Sequence, residues 1–512
     1  MKLKKIIDSL NGIIKVEGRT SLEITGIACD SKAVKQGYLF AALKGSKVNG
    51  ADFIDDAIAR GAYAIVLDAD NKGIFRKGDT FIYVRDSMKA LADVSKAYFG
   101  DLSGKMRLTG VTGTNGKTTI TYLIESIFKA KGWQTGVIGT INYRFGQRAI
   151  PAVNTTPGVL DLYYLLSSMY KEKIKNCIIE VSSHSLEQGR VQTLQFDAAI
   201  FTNLTREHLD FHENMDDYLK AKLKLFEKIK KGGFAIINID HPTAEKIIEK
   251  VKTEGKAKVI TYGIDHKADI TAVNINLSCN GLKFQLGVAE RAPYPCGMGR
   301  SSAPIEIESN LIGRHNVYNI LGAAGASLAS GISLEDIKKG IEALKGLPGR
   351  LESIRCGQNF SVYVDYAHTE DGLENVLKSL RELKPARLIS VFGCGGNRDR
   401  TKRPAMGRIS TELSDVVVVT SDNPRGEEPM DIINEIIKGI GPEKNNYTVE
   451  IDRFNAIKKA LSNAEEGDIV LVAGKGHETY QVFKNTTLPF DDREVIKCIL
   501  KEAGLCLQPE ML

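Results

Sequence analysis

The chain has 512 residues, of which 43% are hydrophobic and 26% charged, as in an ordinary globular protein. At roughly 150 residues per domain, this length predicts about three domains. The net charge of +6 comes from 69 basic and 63 acidic residues spread along the chain without a polybasic block, which argues against a nucleic-acid-binding protein.

The distribution of apolar residues and cysteines predicts where the protein works. No apolar run reaches the ~18 residues of a membrane span, and the first residues lack the apolar region of a secretory signal. The eight cysteines form no Cys-x-x-Cys pair, so we interpret them as reduced thiols. We therefore expect a cytoplasmic protein with no membrane span.

Residues 1–104 form a first α/β unit. Short apolar runs predict strands over 24–31, 37–45, 62–68 and 80–85, followed by a helix over 87–99. Nothing here is catalytic from the residues alone. The turns near Ser31 and Val48 fit a plain loop as well as a binding loop.

The segment 107–130 carries the strongest signal in the chain. A strand over 107–112 enters the loop Thr-Gly-Thr-Asn-Gly-Lys-Thr-Thr at 112–119, and a helix with apolar residues at helical spacing follows. In such a loop, backbone N–H groups wrap phosphates, Lys117 reaches the terminal phosphates and Thr118 meets Mg²⁺. The loop is a variant, because Val111 stands where the general pattern has glycine.

Two further regions alternate strands with helices. Strands are predicted over 177–181, 197–201, 234–238 and 258–262, then a β-rich insertion over 270–310, and from about residue 346 strands over 362–365, 388–393, 415–420 and 468–473. This alternation predicts α/β domains with mainly parallel sheets covered by helices on both faces. The expected domains are 1–104, 105–346 and 347–512.

Several polar residues follow these strands, where ligands of parallel sheets bind. Glu180 offers a carboxylate for Mg²⁺, although a solvated glutamate at a strand end is the plain alternative. His208 and His212 lie four residues apart, but without a third ligand pattern zinc is disfavoured. The loop with Asn203, His208 and Asp210 instead suits phosphate and Mg²⁺. Lys222, taken alone, has the features of a solvated helix lysine.

The motifs, taken in order, resemble those of the Mur ligases. They comprise the glycine loop at 112–119, Asn-Thr-Thr-Pro-Gly at 154–158, Glu-Val-Ser-Ser-His at 180–184, the Asn-Leu…His-Leu-Asp-x-His loop at 203–212, Gly-Arg-His-Asn at 313–316, Gly-Arg-Leu-Glu at 349–352 and Asp-Tyr-Ala-His at 365–368. This family consists of ATP-dependent amide-bond ligases of peptidoglycan precursor synthesis. The resemblance implies a UDP-sugar-binding N-terminal α/β domain, a central P-loop ATPase domain and a C-terminal Rossmann-like domain.

The resemblance also implies binding residues for three substrates. ATP would be held by Gly113, Thr114, Asn115, Gly116, Lys117, Thr118, Thr119, Asn319, Arg350, Asp365 and His368. A UDP-sugar dipeptide would be held by Ser31, Ser46, Lys47, Val48, Asn154, Thr155, Thr156, Ser182, Gln188 and Arg190. The incoming amino acid would be held by Arg398, Asp422, Asn423, Pro424, Arg425, Gly474 and Glu478.

The catalytic and metal-binding residues are implied by the same resemblance. The catalytic residues would be Lys117, Asn203, His208 and Lys222, with Mg²⁺ on Thr118, Glu180, His208 and Lys222. Lys222 would be carbamylated by CO₂ to N6-carboxylysine, which turns a cation into an oxygen ligand. One departure from the family pattern is Glu207, where aspartate is usual.

Four alternatives stay open. Within the fold, the chain could be a member that adds L-lysine rather than meso-diaminopimelate, or a folylpolyglutamate synthetase-like ligase. The Asp-Asn-Pro-Arg loop at 422–425 favours diaminopimelate, because arginine forks bind carboxylates. A P-loop motor on nucleic acid and a non-catalytic nucleotide-binding regulator are the other two.

Overall fold

A computed structural model of the chain describes residues 1–45, 48–71, 78–207, 211–290, 293–294 and 303–505. The chain divides into two compact units. The first consists of Met1–Asp269, Ala289–Arg300 and Gly322–Ile337, and the second of Ile270–Val288, Ser301–Leu321 and Lys338–Leu512. The boundaries of the three domains expected from the sequence stay a prediction.

The first unit begins with a small sheet in the strand order β1-β5-β4-β3-β2, parallel except for the β1–β5 pair. Its elements are α1 (Leu3–Ile7), β1 (Ile13–Glu17), β2 (Gly26–Ala28), β3 (Tyr38–Ala42), α2 (Ile54–Ala59), β4 (Ala62–Asp68), β5 (Phe81–Val84), α3 (Ser87–Phe99) and α4 (Leu102–Lys105), with 3₁₀ turns at Ser31–Ala33 and Gly50–Phe53. The predicted helix over 87–99 and strand over 62–68 are confirmed.

The larger sheet of the first unit has the order β13-β12-β11-β6-β10-β7-β8-β9. All its pairs from β13 to β7 are parallel, and β8 and β9 continue as antiparallel strands. The elements are β6 (Arg107–Thr112), α5 (Lys117–Ala130), β7 (Thr135–Ile138), β8 (Asn142–Phe145), β9 (Arg148–Pro151), α6 (Val159–Lys171), β10 (Asn176–Glu180), α7 (Ser183–Glu187), β11 (Phe196–Phe201), α8 (Met215–Glu227), β12 (Ile229–Asn238), α9 (Ala244–Glu254) and β13 (Lys258–Gly263).

The β6–α5 unit forms for a simple reason. From its second residue onward strand β6 is buried, and the glycine loop lets the chain turn sharply into α5. Ile120, Leu123, Ile124 and Ile127 recur at helical spacing and are all buried, so packing of this face fixes the helix against the sheet. The helix ends before Gly132, whose φ of 80° is left-handed.

The second unit contains an antiparallel meander and a separate parallel sheet. The meander is β14 (Ile270–Ser278), β15 (Gly281–Val288) and β16 (Ile305–Ser309), which confirms the predicted β-rich insertion. The helices α10 (Arg314–Ala329) and α11 (Leu334–Ala343) follow along the chain. The remaining elements are β17 (Glu352–Ser353), β18 (Ser361–Asp365), α12 (Glu370–Arg381), β19 (Leu388–Phe392), α13 (Lys402–Leu413), β20 (Val416–Val419), α14 (Pro429–Ile437), β21 (Tyr447–Val449), α15 (Arg453–Ser462), β22 (Ile469–Ala473), β23 (Tyr480–Val482), β24 (Thr487–Pro489) and α16 (Asp492–Glu502).

The parallel sheet of the second unit has the order β17-β18-β22-β19-β20-β21, with only β17 antiparallel. One of its faces packs against α12, α13 and α14, and the other against α15 and α16. Both faces of the strands are therefore buried, as the continuous apolar runs predicted. No helix in the described part of the chain combines the length and apolar character needed to cross a membrane.

A buried ion pair joins two helices to two strand ends in this unit. Arg453 and Asp492 are both fully buried, and their side chains meet through bonds of 2.8 and 2.7 Å. The same guanidinium donates to the carbonyls of Ser421 and Ala473, at the ends of β20 and β22. Burial opposes the charge, but the Asp492 carboxylate holds the pKa of Arg453 above its usual value.

We expect Arg453→Met to destabilise the protein by about 3–5 kcal/mol, because it leaves Asp492 buried without a counter-charge. The measurement is the free energy of unfolding of the second unit's transition in denaturant. Arg408→Met is the control, since Arg408 forms an exposed pair with Glu412. Equal stabilities of the two variants would contradict this role of the ion pair.

Candidate active site

The glycine loop after β6 has the conformation expected of a phosphate-binding loop. Gly113 has φ 147° and Gly116 has φ 88°, and Gly116 immediately precedes α5. A Cβ on Gly113 would lie 1.8 Å from Oγ1 of Thr202, so no side chain fits there. The N-terminus of a 14-residue helix therefore faces the loop, and its N–H groups favour an anion.

The loop after β11 holds the glycine loop in place. Asn203 accepts the Asn115 N–H through Oδ1 at 2.9 Å, and its carbonyl accepts the Thr114 N–H at 2.9 Å. Thr202 Oγ1 donates to the Asn115 carbonyl at 2.6 Å. The predicted residue Asn203 thus lies against the loop, where it fixes the backbone that would surround phosphates.

Lys117 folds back over the glycine loop. Its Nζ donates to the carbonyls of Gly113 and Thr114 at 2.9 and 2.7 Å. The ammonium group is therefore positioned at the mouth of the loop by the loop's own backbone. Phosphate oxygens entering there would meet a cation already in place.

Glu180, at the end of β10, is buried with 1% of its surface exposed, so the solvated alternative is wrong. Thr118 donates to its carboxylate at 3.1 Å, and Thr140 donates through both its N–H (3.1 Å) and its hydroxyl (2.8 Å). Within the described residues this carboxylate has no ion pair. A buried anion surrounded by hydroxyl oxygens fits the ligands that Mg²⁺ prefers. The described residues contain no group of three or more His, Cys, Asp or Glu side chains that could hold a metal ion.

Lys222, on α8, is buried with 1% exposed, so it is not a solvated helix lysine. Its Nζ lies 4.2 Å from the centre of the Tyr218 ring. Burial and the charge of Lys117 lower its pKa well below the usual value, against an opposing effect of Glu207. The site therefore favours a neutral amine at this position.

Four candidate site residues cannot be compared with the structure. His208, Ser46 and Lys47 lie outside the described residues, as does Asp210. Glu207, the departure from the family pattern, is described and acts electrostatically on Lys222.

The residues expected to bind the UDP-sugar fall into two places. Thr156 donates to the backbone carbonyl of Glu180 at 2.7 Å and accepts the Ser182 N–H, and Arg190 donates to the Thr156 carbonyl at 2.6 Å. The set brought together around Thr156 is Asn154, Thr155, Ser182, Gln188 and Arg190. Ser31 and Val48 belong to the region of the small N-terminal sheet, Ser31 buried and Val48 exposed.

The other predicted ATP residues lie in the second unit: Asp365 ends β18, Asn319 and Arg350 precede this strand and His368 follows it. Asp365 accepts the N–H groups of Leu351 and Ala367 at 2.7 and 2.8 Å, and burial raises its pKa while Arg350 opposes this. The Arg350 guanidinium lies 5.0 Å from the Tyr366 ring centre, and its Nε has no hydrogen-bond partner among the residues that the structure describes. The remaining two are His368, which contacts the Tyr366 carbonyl, and Asn319, which is buried on α10.

The predicted amino-acid-binding residues lie together at the carboxyl ends of β19, β20 and β22. Asn423 donates to Glu478 at 2.8 Å, and Arg425 donates to the Gly396 carbonyl at 3.0 Å. Asp422 is buried, and in the described part of the chain its Oδ1 has no hydrogen-bond partner but lies 3.8 Å from Nζ of Lys475. The other members of the set are Pro424, Gly474, whose φ is 114°, and Arg398, which is exposed.

Three residues of these sites were not identified from the sequence. Thr140 donates two bonds to Glu180, Tyr218 lies between Lys222 and the glycine loop, and Lys475 is buried beside Asn423 and Glu478. The signal for Thr140 was its place two residues after strand β7, and for Lys475 its place between two glycines. Tyr218 gave no such signal, because aromatic residues on helices usually pack in cores.

Known families and proteins are similar to this chain over most of its length. Three family descriptions match the chain: "Mur ligase family, catalytic domain" over 23–99, "Mur ligase middle domain" over 111–327 and "Mur ligase, glutamate ligase domain" over 349–476. The UDP-N-acetylmuramoyl-L-alanyl-D-glutamate--2,6-diaminopimelate ligases of Clostridium perfringens and Solibacter usitatus are similar. The first is 42% identical over 98% of this chain and 100% of its own length, the second 44% identical over 94% of each. A solved structure of a ligase with that name is 30% identical, covers 98% of this chain and 99% of its own, and has a TM-score of 0.69.

We expect Gly113→Ala to weaken binding of an ATP analogue by at least about tenfold, because the new methyl group displaces Thr202 and the glycine loop with it. Titration calorimetry measures the affinity. Gly132→Ala is the matched control: Gly132 is also left-handed, but no atom lies within 4 Å of its Cβ position. Similar affinities for the two variants would show that the clash with Thr202 does not matter.

Proposed function

The chain belongs to the Mur ligase family, and we propose that it adds meso-diaminopimelate to the D-glutamate side-chain carboxylate of UDP-N-acetylmuramoyl-L-alanyl-D-glutamate. It is an ATP-dependent ligase that forms an amide bond. One observation carries the choice of amino acid: Arg425 is held at the carboxyl edge of the second sheet beside Asn423 and Glu478. The arginine guanidinium there can bind the distal carboxylate of meso-diaminopimelate, which L-lysine lacks.

ATP would bind at the glycine loop. The residues Gly113 to Thr119 surround the phosphates with N–H groups, and Lys117 neutralises their charge. Asn319, Arg350, Asp365 and His368 are proposed as further ATP-binding residues. The UDP-sugar dipeptide would contact Asn154, Thr155, Thr156, Ser182, Gln188 and Arg190, with Ser31 and the 46–48 turn.

Mg²⁺ is proposed as the cofactor, held by Thr118 and Glu180, with a second ion on Lys222 and His208. These residues suit Mg²⁺ because the buried Glu180 carboxylate and the neighbouring hydroxyls of Thr118 and Thr140 are oxygen ligands. When bound, Mg²⁺ would offset the negative charge of the phosphates. The chain's own residues orient this site: Thr140 fixes the Glu180 carboxylate, and Asn203 fixes the glycine loop.

We propose that Lys222 is carbamylated by CO₂. A neutral amine attacks the carbon of CO₂, loses a proton and becomes a carbamate with two oxygens. The buried position of Lys222 and its lowered pKa favour the neutral amine that this addition needs. The hydrophobic ring of Tyr218 under Nζ keeps the side chain in one place.

The proposed reaction has two steps. A carboxylate oxygen of D-glutamate attacks the γ-phosphorus of ATP, ADP leaves and an acyl phosphate forms. The amine of the amino acid then attacks the acyl carbon, a proton is lost and phosphate leaves, which completes the amide. Lys117 and the loop N–H groups stabilise the charge on the transferred phosphoryl group.

We further propose that the enzyme works in the cytoplasm as a monomer, because its substrates are nucleotides and its cysteines are expected to be reduced. The described cysteines are free thiols. The nucleic-acid motor and the non-catalytic regulator have no supporting observation. The L-lysine-adding member and the folylpolyglutamate synthetase-like ligase are separated from our proposal by the substrate assay below.

The test of the substrate is ligation with meso-diaminopimelate, L-lysine and folate, followed by phosphate release and mass spectrometry of the product. We expect turnover with diaminopimelate and at least about tenfold poorer use of lysine, since lysine leaves Arg425 without its carboxylate. Arg425→Lys should raise the KM for diaminopimelate, because a point charge cannot reproduce the planar fork. Arg408→Lys, on an exposed helix face, is the control. Equal or better use of lysine by the natural chain would overturn the assignment.

The test of carbamylation is Lys222→Ala, which we expect to be nearly inactive and partly rescued by small carboxylates that replace the missing oxygens. A ¹³C carbamate resonance should appear when the natural protein is incubated with labelled bicarbonate and be absent from the variant. Lys220→Ala is the control, because Lys220 is exposed on the same helix. An active Lys222→Ala enzyme, or no carbamate signal in the natural protein, would refute the idea.

A further inference from the structure

Two loops of the second unit lie against each other and carry the arginines of the proposed amino-acid site. The first, residues 393–398, follows β19, and the second, residues 422–428, follows β20. The Gly396 N–H donates to the Asn423 carbonyl at 2.9 Å. A Cβ on Gly396 would lie 1.9 Å from the Pro424 carbonyl oxygen, so the two backbones are in contact.

Arg425 depends on this contact for its orientation. Its backbone N–H donates to Val482 at 2.9 Å, and Nη1 donates to the Gly396 carbonyl at 3.0 Å and the Asn423 carbonyl at 3.4 Å. Within the described residues, Nε and Nη2 make no hydrogen bond. The edge of the guanidinium that binds carboxylates bidentately is thus left open, and its direction is set by Gly396.

Glu427 ties the same two loops together from the other side. Its Oε1 accepts the Asn397 N–H at 2.5 Å, so the second loop holds the backbone of the first. Asn397 returns a bond, since its Oδ1 accepts the Gly426 N–H at 2.8 Å. Asn397 is the residue directly after Gly396, whose carbonyl orients Arg425.

The Glu427 carboxylate is itself fixed by Arg403, which is fully buried. Arg403 donates to both Glu427 oxygens at 2.9 Å, to Glu435 at 2.8 Å and to the Gly395 carbonyl at 3.2 Å. These hydrogen bonds lower the pKa of Glu427 to about 2, so it is ionised at neutral pH. Glu435 also pairs with Arg403, but it is shared with Arg400, so Glu427 both balances the charge of Arg403 and holds Asn397.

We propose that Glu427 is a positioning residue for amino-acid selection: it clamps the 393–398 loop to the 422–428 loop and thereby aims Arg425 at the distal carboxylate of the substrate. The proposal rests on the function proposed above. Glu427 acts through Asn397 and Gly396 on Arg425 and does not itself contact the substrate. Its effect should therefore appear in the binding of the amino acid and not in the chemistry.

The first experiment compares Glu427→Gln with Glu428→Gln in the full chain. Glutamine keeps the shape of Glu427, but its amide group would face donors of Arg403 and Asn397. We expect the KM for meso-diaminopimelate to rise about tenfold in Glu427→Gln, with kcat within about twofold and unchanged KM for ATP and for the UDP-sugar dipeptide. Glu428 is exposed and adjacent, and its variant should match the natural enzyme.

The second experiment is a double-mutant cycle with Arg425→Lys. If Glu427 acts through the Arg425 fork, removing that fork also removes the effect of Glu427, so the double variant should have the KM of Arg425→Lys alone. A merely structural role of Glu427 would lower the melting temperature and would add to the effect of Arg425→Lys.

Every outcome of these experiments either supports or overturns the positioning role of Glu427. A normal KM in Glu427→Gln, an additive cycle, or a parallel loss of affinity for ATP overturns the clamp while leaving the proposed function intact. Failure of the natural enzyme to ligate diaminopimelate overturns the proposed function, and the clamp's role in selection falls with it. A selective rise in KM that vanishes in the Arg425→Lys background supports the clamp.

Discussion

The geometry of the first unit depends on how one buried carboxylate is accommodated. Burying Glu180 costs free energy unless its carboxylate oxygens are paired, and the chain pairs them with groups from two separate elements. These are Thr118 from helix α5 and Thr140 from the turn after β7, while Thr156 bonds to the backbone carbonyl of Glu180. The same contacts bring the glycine loop and the Asn154–Thr156 turn to one edge of the sheet. The site is thus a consequence of satisfying an acid that the fold places out of water.

In the second unit the buried charges that need partners are arginines. Arg403 and Arg453 are fully buried, and each donates hydrogen bonds to carboxylates and to backbone carbonyls at or beyond strand ends. Loops at the carboxyl edge of a parallel sheet have few backbone partners, so such side chains supply the missing bonds. The loops after β19, β20 and β22 are held in part by these buried charges. Rigid loops of this kind can present Asp422, Arg425 and Glu478 in fixed directions.

Periodicity predicted most of the fold, because the strands are continuous apolar runs and α3 and α5 end at left-handed glycines. The short strands β8, β9 and β21 were missed, since half-exposed strands lack that signal. The neighbourhood of the glycine loop followed from the motif itself. The burial of Lys222 did not, because its helix carries lysines at 220, 222 and 224, and only packing decides which of them points inward. The clamp at Glu427 depends on contacts with residues 24 and 30 positions away, which a single sequence does not reveal.

Two non-glycine residues of the facing loops, Asn397 and Arg425, have left-handed backbones with φ 52° and 53°. For residues other than glycine this conformation costs about 1–2 kcal/mol each. Relieving the cost at Arg425 would require glycine, which has no guanidinium to offer a substrate. The backbone of Arg425 therefore lowers the stability of the loop, while its side chain is kept for distinguishing one amino-acid substrate from another. Selection for heat resistance alone would favour a sequence that folds more firmly and distinguishes amino acids less well.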